Sequence, residues 1–185
     1  MRVISGTARG TKLSSIESIK TRPTLDRVKE SLFNILQDKI KDKIILDLFA
    51  GSGALGIEAL SRGAQKAYFC DINYDAIKIL KQNLDKTKLT QKAIIINKDY
   101  KIALKQIPDK IDIAFLDPPY KMDFAINSIK EMLNLNLISK ESLLIVETDE
   151  ITRDIEEIDK ITDLEIIDKR KYGRANLIFI KKRGN

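Results

Sequence analysis

The chain has 185 residues, 43% of them hydrophobic, a formal net charge of +6, one cysteine and no histidine, which is enough length and apolar content for one domain with a short appendage. The missing histidines exclude a Ser-His-Asp triad, a Cys-His pair and the usual zinc sets, and the lone Cys70 excludes an internal disulfide and fits a reducing cytoplasm. No apolar run approaches the roughly 20 residues of a membrane span, and Met1 to Gly6 lacks the apolar core of a secretory signal.

Residues 1–22 read as an extended, basic, polar arm in which Val3-Ile4 could form a short strand. Pro23 and Thr24 mark a helix start, with Thr24 as N-cap and Asp26 favourable in the first turn. Val28, Leu32, Ile35 and Leu36 make its apolar face, and Arg27 and Lys29 fall off that face. From Ile44 the period changes. Ile44 to Phe49 is an apolar run broken by one acid, as expected of a strand buried on both faces. Gly51 to Gly56 turn the chain into a helix that runs to about Arg62 and stops at Gly63. Strands follow at Ala67 to Cys70, Ala93 to Asn97, Ile111 to Leu116 and Leu143 to Val146. Helices are expected between them at Tyr74 to Leu84, Lys101 to Gln106 and Phe124 to Leu133. The end differs: Leu164 to Ile167 and Ala175 to Ile180 read as a hairpin around Tyr172-Gly173-Arg174. Alternation of strands and helices argues for an α/β fold with an open, mostly parallel sheet covered on both faces, its last strand entering antiparallel.

Gly51-x-Gly53-x-x-Gly56 follows a strand and opens a helix, the context of a nucleotide-binding turn. On that reading Gly51 permits the tight turn, Gly53 lets backbone approach a ligand, and Gly56 allows close helix packing. Asp71 lies twenty residues after Gly51, at the end of the next strand, where a carboxylate can accept two ribose hydroxyls. Two cofactor classes share this geometry, a nicotinamide dinucleotide and S-adenosylmethionine. Asp47 favours the second: it sets a negative charge beside the cationic methyl donor and is unwelcoming to a pyrophosphate. Asp99, with Tyr100 alongside, either accepts from an adenine amine or caps the following helix, and the two roles are compatible.

Asp117-Pro118-Pro119-Tyr120 ends the fourth strand, expected beside the first at the ligand-binding end of the sheet. The two prolines fix the backbone. The Asp117 carboxylate and the Pro118 carbonyl then offer two acceptors for the two protons of a planar amine, and Tyr120 can stack on its ring. The amine lone pair is thereby aimed at a methyl group, and positioning dominates such a transfer. The proton released afterwards goes to Asp117 or to water.

Positive charge is concentrated in the first 29 residues and in the C-terminal hairpin, where Lys169 to Arg183 carry seven lysines and arginines. Such clusters either favour a polyanion or are solvated surface. The blocks Arg2-Val3-Ile4-Ser5-Gly6, Arg9-Gly10-x-Lys12-Leu13, Arg22-Pro23-Thr24-x-Asp26-Arg27-Val28-Lys29-Glu30-Ser31-Leu32-Phe33-Asn34, Phe49 to Gly56, Glu58 to Ala64 and Asp117 to Tyr120 resemble the RsmD family, bacterial methyltransferases of guanine N2 in 16S ribosomal RNA. The resemblance covers nearly the whole chain. It implies a Rossmann-like class I fold with a seven-stranded sheet, residues 1–37 as an RNA-binding arm and helix, and residues 43–185 as the core of a single methyltransferase domain. It implies S-adenosylmethionine held by Asp47, Phe49, Ala50, Gly51, Ser52, Gly53, Gly56, Asp71, Ile72, Asp99 and Tyr100, with catalysis at Asp117, Pro118, Pro119 and Tyr120. It also implies RNA contacts from Arg9, Lys12, Arg22, Thr24 and Arg27. Where the family often has glutamate after the second strand, this chain has the shorter Asp71.

The expected partner is 16S ribosomal RNA within a small-subunit particle or assembly intermediate, and the expected protein is a cytoplasmic monomer with no metal and no membrane association. Three other readings stay open: an adenine N6 methyltransferase of DNA, a nicotinamide oxidoreductase, and a non-catalytic RNA-binding module. The first lacks a separate target-recognition domain, the second a substrate domain, and the intact Asp117 to Tyr120 tells against the third.

Overall fold

The computed structural model describes residues 1–15, 23–119 and 123–184, with side chains in the first helix from residue 27 onward. Arg22 and Tyr120, and the side chain of Thr24, lie outside the described residues. Helix α1 (Pro23–Leu36) begins on proline, whose fixed φ suits a first helical position, so Thr24 sits inside the helix and is not its cap. Then follow β1 (Ile44–Asp47), α2 (Ala54–Ser61), β2 (Lys66–Cys70), α3 (Tyr74–Thr87), β3 (Ala93–Ile96), α4 (Tyr100–Leu104) and β4 (Ile113–Leu116). The chain continues with α5 (Phe124–Asn134), β5 (Leu143–Thr148), α6 (Ile151–Asp159), β6 (Leu164–Tyr172) and β7 (Ala175–Lys182). Helix α6 was not foreseen, although Ile151, Ile155 and Ile158 recur at helical spacing and pack on one core.

The seven strands form one sheet in the order β3-β2-β1-β4-β5-β7-β6. Strands β1 to β5 are parallel, and β7 is antiparallel to both β5 and β6. The chain moves outward from β1 to β3 and then crosses back to β4, so the direction reverses between β1 and β4. Ligands of such sheets bind beyond the carboxyl ends of the strands at this reversal.

Successive strand residues face opposite sides, and both sides are buried. Ile45, Phe69, Phe115, Ile145 and Phe179 pack with α1, α2 and α3 on one face. Leu46, Cys70, Leu116, Val146 and Ile178 pack with α4, α5 and α6 on the other. Cys70 is a buried core residue whose thiol is pushed up to about 12 by burial, so it stays protonated and unreactive. Among the described residues no helix is long and apolar enough to cross a membrane.

Residues 1–15 depart from the extended polar arm. Arg2 and Lys12 form a single antiparallel bridge, and Val3, Ala8 and Leu13 are buried in the core shared with α1 and α2. The turn lies against the end of α2: Thr7 N–H donates to the Ser61 carbonyl at 2.8 Å, and Ser61 Oγ donates to the Ser5 carbonyl at 2.6 Å. A Cβ on Gly6 would meet the Ser61 carbonyl oxygen at 1.8 Å, so only glycine fits. Glu58, fully buried in α2, gathers the region together. It accepts from the N–H groups of Ile4 (2.8 Å) and Ser5 (3.0 Å) and pairs with Arg62 (2.8 Å) and Lys29 (3.2 Å). Lys29 also donates to the Arg2 carbonyl at 2.7 Å. Expected on the outer side of α1, Lys29 is only 3% exposed, because its charge is met by an acid 29 positions later.

Candidate active site

A cavity of about 540 Å³ opens at the β1/β4 reversal, within the size range of small-molecule sites. Its floor is the turn after β1, where Phe49, Ala50, Gly51 and Ser52 all line it. Two predicted glycines stand back from it. Gly53 caps α2 in a left-handed conformation, and a Cβ there would meet Leu80 at 2.2 Å, so its lack of a side chain serves packing at the start of the helix. Gly56 serves packing as expected: a Cβ there would lie 2.3 Å from the ring of Phe69.

The acids around this turn hold it in shape. Asp71 accepts from Gly51 N–H at 2.8 Å with one oxygen and from Asn73 N–H at 2.8 Å with the other. Each oxygen keeps a lone pair for a ligand hydroxyl. Asp47 accepts from Gly56 N–H at 2.9 Å. Burial, and then the charges of Asp117 and Asp71, push its carboxyl up to about 7 against the lowering effect of that hydrogen bond. Asp99 caps α4 by accepting from Lys101 N–H at 2.9 Å while also lining the cavity. Buried Asn83 links the turn to the N-terminal segment, donating to the carbonyls of Ser52 and Ser14, both at 2.9 Å.

The walls are apolar. Phe49, Tyr100 and Phe124 form a triangle with ring centroids 5.7–6.3 Å apart, and Ile72 stands 71% exposed at the rim. Phe124, on α5, was not among the expected residues. Val28 and Leu32 of α1 close the side over the sheet.

The far end of the cavity is formed by the tips of β4 and β5. Asp117 and Pro119 line it, while Pro118 does not. Glu147 lines it too, and sequence reasoning passed over it. The parallel register runs Phe115 to Ile145 and Leu116 to Val146, which sets Asp117 level with Glu147 on the same sheet face. Asp117 opens onto the cavity, yet the protein mass around it disfavours its charged form and raises its pKa. Half-buried Glu147 is raised as well, by burial and then by the charge of Asp117. Arg9, Lys12 and Arg27 are exposed and lie outside the cavity.

With this geometry established, residues 1–181 match the family model described as conserved hypothetical protein 95, and relatives named ribosomal RNA small subunit methyltransferase D align over 80% of the chain. The chain belongs to the RsmD family. Among its relatives, Bacillus subtilis YlbH is 38% identical over the whole of both chains. The ribosomal RNA small subunit methyltransferase D of Haemophilus influenzae is 41% identical over 152 residues, covering 80% of this chain and 79% of that one. The solved structure of Escherichia coli yhhF superposes with a TM-score of 0.85 at 31% identity, covering 100% of this chain and 99% of that one. The Rossmann-like methyltransferase fold with its antiparallel C-terminal hairpin is thus the fold of this RsmD-family chain. The family blocks Arg2 to Gly6 and Glu58 to Ala64 turn out to be each other's packing partners.

Proposed function

We propose that this chain transfers a methyl group from S-adenosylmethionine to the exocyclic N2 amine of a guanine in small-subunit ribosomal RNA. It acts as a monomer and a single domain over residues 1–185. The observation that carries the reading is one continuous cavity joining the glycine turn and Asp71 to the tip of β4 at Asp117.

The residues present fit the methyl donor. Asp71 has lone pairs left for ribose hydroxyls, and Ile72 and the Phe49–Tyr100–Phe124 triangle offer faces to a planar ring. Asp99 and Tyr100 sit where an adenine amine would be met. Asp47 suits the cationic end, and together with Asp117 and Glu147 it makes the cavity hostile to a pyrophosphate, which argues against a nicotinamide dinucleotide. Bound there, S-adenosylmethionine supplies an electrophilic methyl group.

The chain's own residues then do the positioning. Asp117 accepts one amine hydrogen and, although Pro118 does not line the cavity of the free chain, its carbonyl at the strand tip accepts the other once the base is seated, which turns the nitrogen lone pair out of conjugation and toward the glycine turn. Pro118 and Pro119 hold the strand end rigid. The raised pKa of Asp117 suits it to take the proton that the amine sheds after transfer. Arg9, Lys12, Arg22 and Arg27 with Thr24 supply the phosphate contacts.

The test is incubation with labelled S-adenosylmethionine and small-subunit particles or naked 16S RNA, followed by nucleoside analysis. Label recovered as N2-methylguanosine is the expected result. Label in N6-methyladenosine would move the target to adenine, and no label in RNA would overturn the reading.

A further inference from the structure

Among the described residues, Glu147 is the one carboxylate of the cavity with no role in that mechanism. It ends β5 as Asp117 ends β4, and parallel neighbours lie roughly 4.8 Å apart. The two side chains therefore face one ligand edge from adjacent strand tips. Among the described residues neither has a hydrogen-bond or ion-pair partner, so both present acceptor oxygens to the cavity.

With Glu147 ionised, so that it only accepts, this pair matches only one nucleobase edge. Guanine carries the N1–H donor directly beside the N2 amine. Adenine and cytosine carry a ring-nitrogen acceptor beside their amine, which would oppose a carboxylate oxygen, and a buried mismatch of that kind is costly. We propose that Glu147 accepts the N1–H of the target guanine while Asp117 holds its N2 amine, and that Glu147 sets the choice of guanine over the other amino-bearing bases. The proposal rests on the methyl-transfer reading above and deepens it.

The test uses 2-aminopurine, which keeps the 2-amine but replaces N1–H with an acceptor. Small-subunit RNA is assembled with guanine or 2-aminopurine at the modified position, and kcat/KM is measured for the wild type and Glu147→Gln. The wild type should prefer guanine by about tenfold or more, as sites built to pair a polar group reject analogues lacking it. In Glu147→Gln that preference should collapse toward parity, because the amide offers a donor to the analogue's N1. An equal preference in wild type and variant, or equal use of both bases by the wild type alone, overturns the role of Glu147 and leaves the methyl-transfer reading standing. No transfer to either base by the wild type removes both.

Discussion

The carboxylates around the cavity fall into two sets. Asp47, Asp71 and Asp99 each accept backbone N–H groups, and those bonds shape the glycine turn and the start of α4. Asp117 and Glu147, at the tips of β4 and β5, accept none among the described residues. The first set has its geometry determined by the fold before any ligand arrives. The second set has no such partner and opens onto the cavity, and a ligand with hydrogens to donate supplies one. Folding and chemistry therefore draw on different acids of one site.

Asp117→Ala breaks this comparison most sharply. Single-turnover methyl transfer should fall by about a thousandfold, roughly 4 kcal/mol on the barrier. Calorimetric binding of S-adenosylmethionine should stay within a fewfold of wild type. Unchanged turnover would place the amine elsewhere. Next comes Glu58, an acid wholly committed to structure. Glu58→Ala removes the partner of buried Lys29 and the acceptor for Ile4 and Ser5, and should cost about 3–5 kcal/mol in denaturant unfolding. A loss below about 1 kcal/mol would show that the N-terminal turn is held by its apolar residues alone.

Asp47 straddles the two sets, since it is hydrogen-bonded and still raised to about 7. Between about pH 4 and pH 7 the unfolded chain has lost a proton that the folded chain keeps. Asp47 therefore subtracts stability as pH rises through that window. Asp47→Asn should melt higher than wild type at pH 8, by on the order of a few kcal/mol, and show no gain at pH 4. A pH-independent difference between the two proteins would rule out this titration. The smallest effect is expected at Asp71. Asp71→Asn keeps an acceptor for Gly51 N–H but sets an amide NH2 against Asn73 N–H and loses the charge, and should weaken S-adenosylmethionine by about tenfold, about 1.4 kcal/mol, with a loss of folding stability of about 1 kcal/mol at this exposed bond.

What the sequence made legible was local. The apolar run before Asp47, the glycine turn and the strand ending at Asp117 each announce themselves within ten residues, and topology then brings them together. The sheet order follows from alternation and the crossover rule. Glu147 escaped because its significance depends on register with β4, about thirty residues away, and nothing around it marks it. The burial of Lys29 depends in the same way on Glu58. Phe124 belongs to the cavity only through how α5 lies over Phe49 and Tyr100. Helix α6 is a different case: its isoleucine spacing was available, but acidic neighbours obscured it. Arg22 and Tyr120 fall outside the described residues, so their roles stand on the family blocks.

The placement of β7 carries a consequence for how the molecule is made. Among the described residues it follows every other strand in chain order, yet it is threaded between β5 and β6 and is not an outer strand. Until it docks, β5 presents an open row of amide and carbonyl groups, and β6 has nothing to pair with. A ribosome must therefore release the chain through Lys182 before the sheet can be sealed. Truncation within β7 would unmake one entire flank of the sheet.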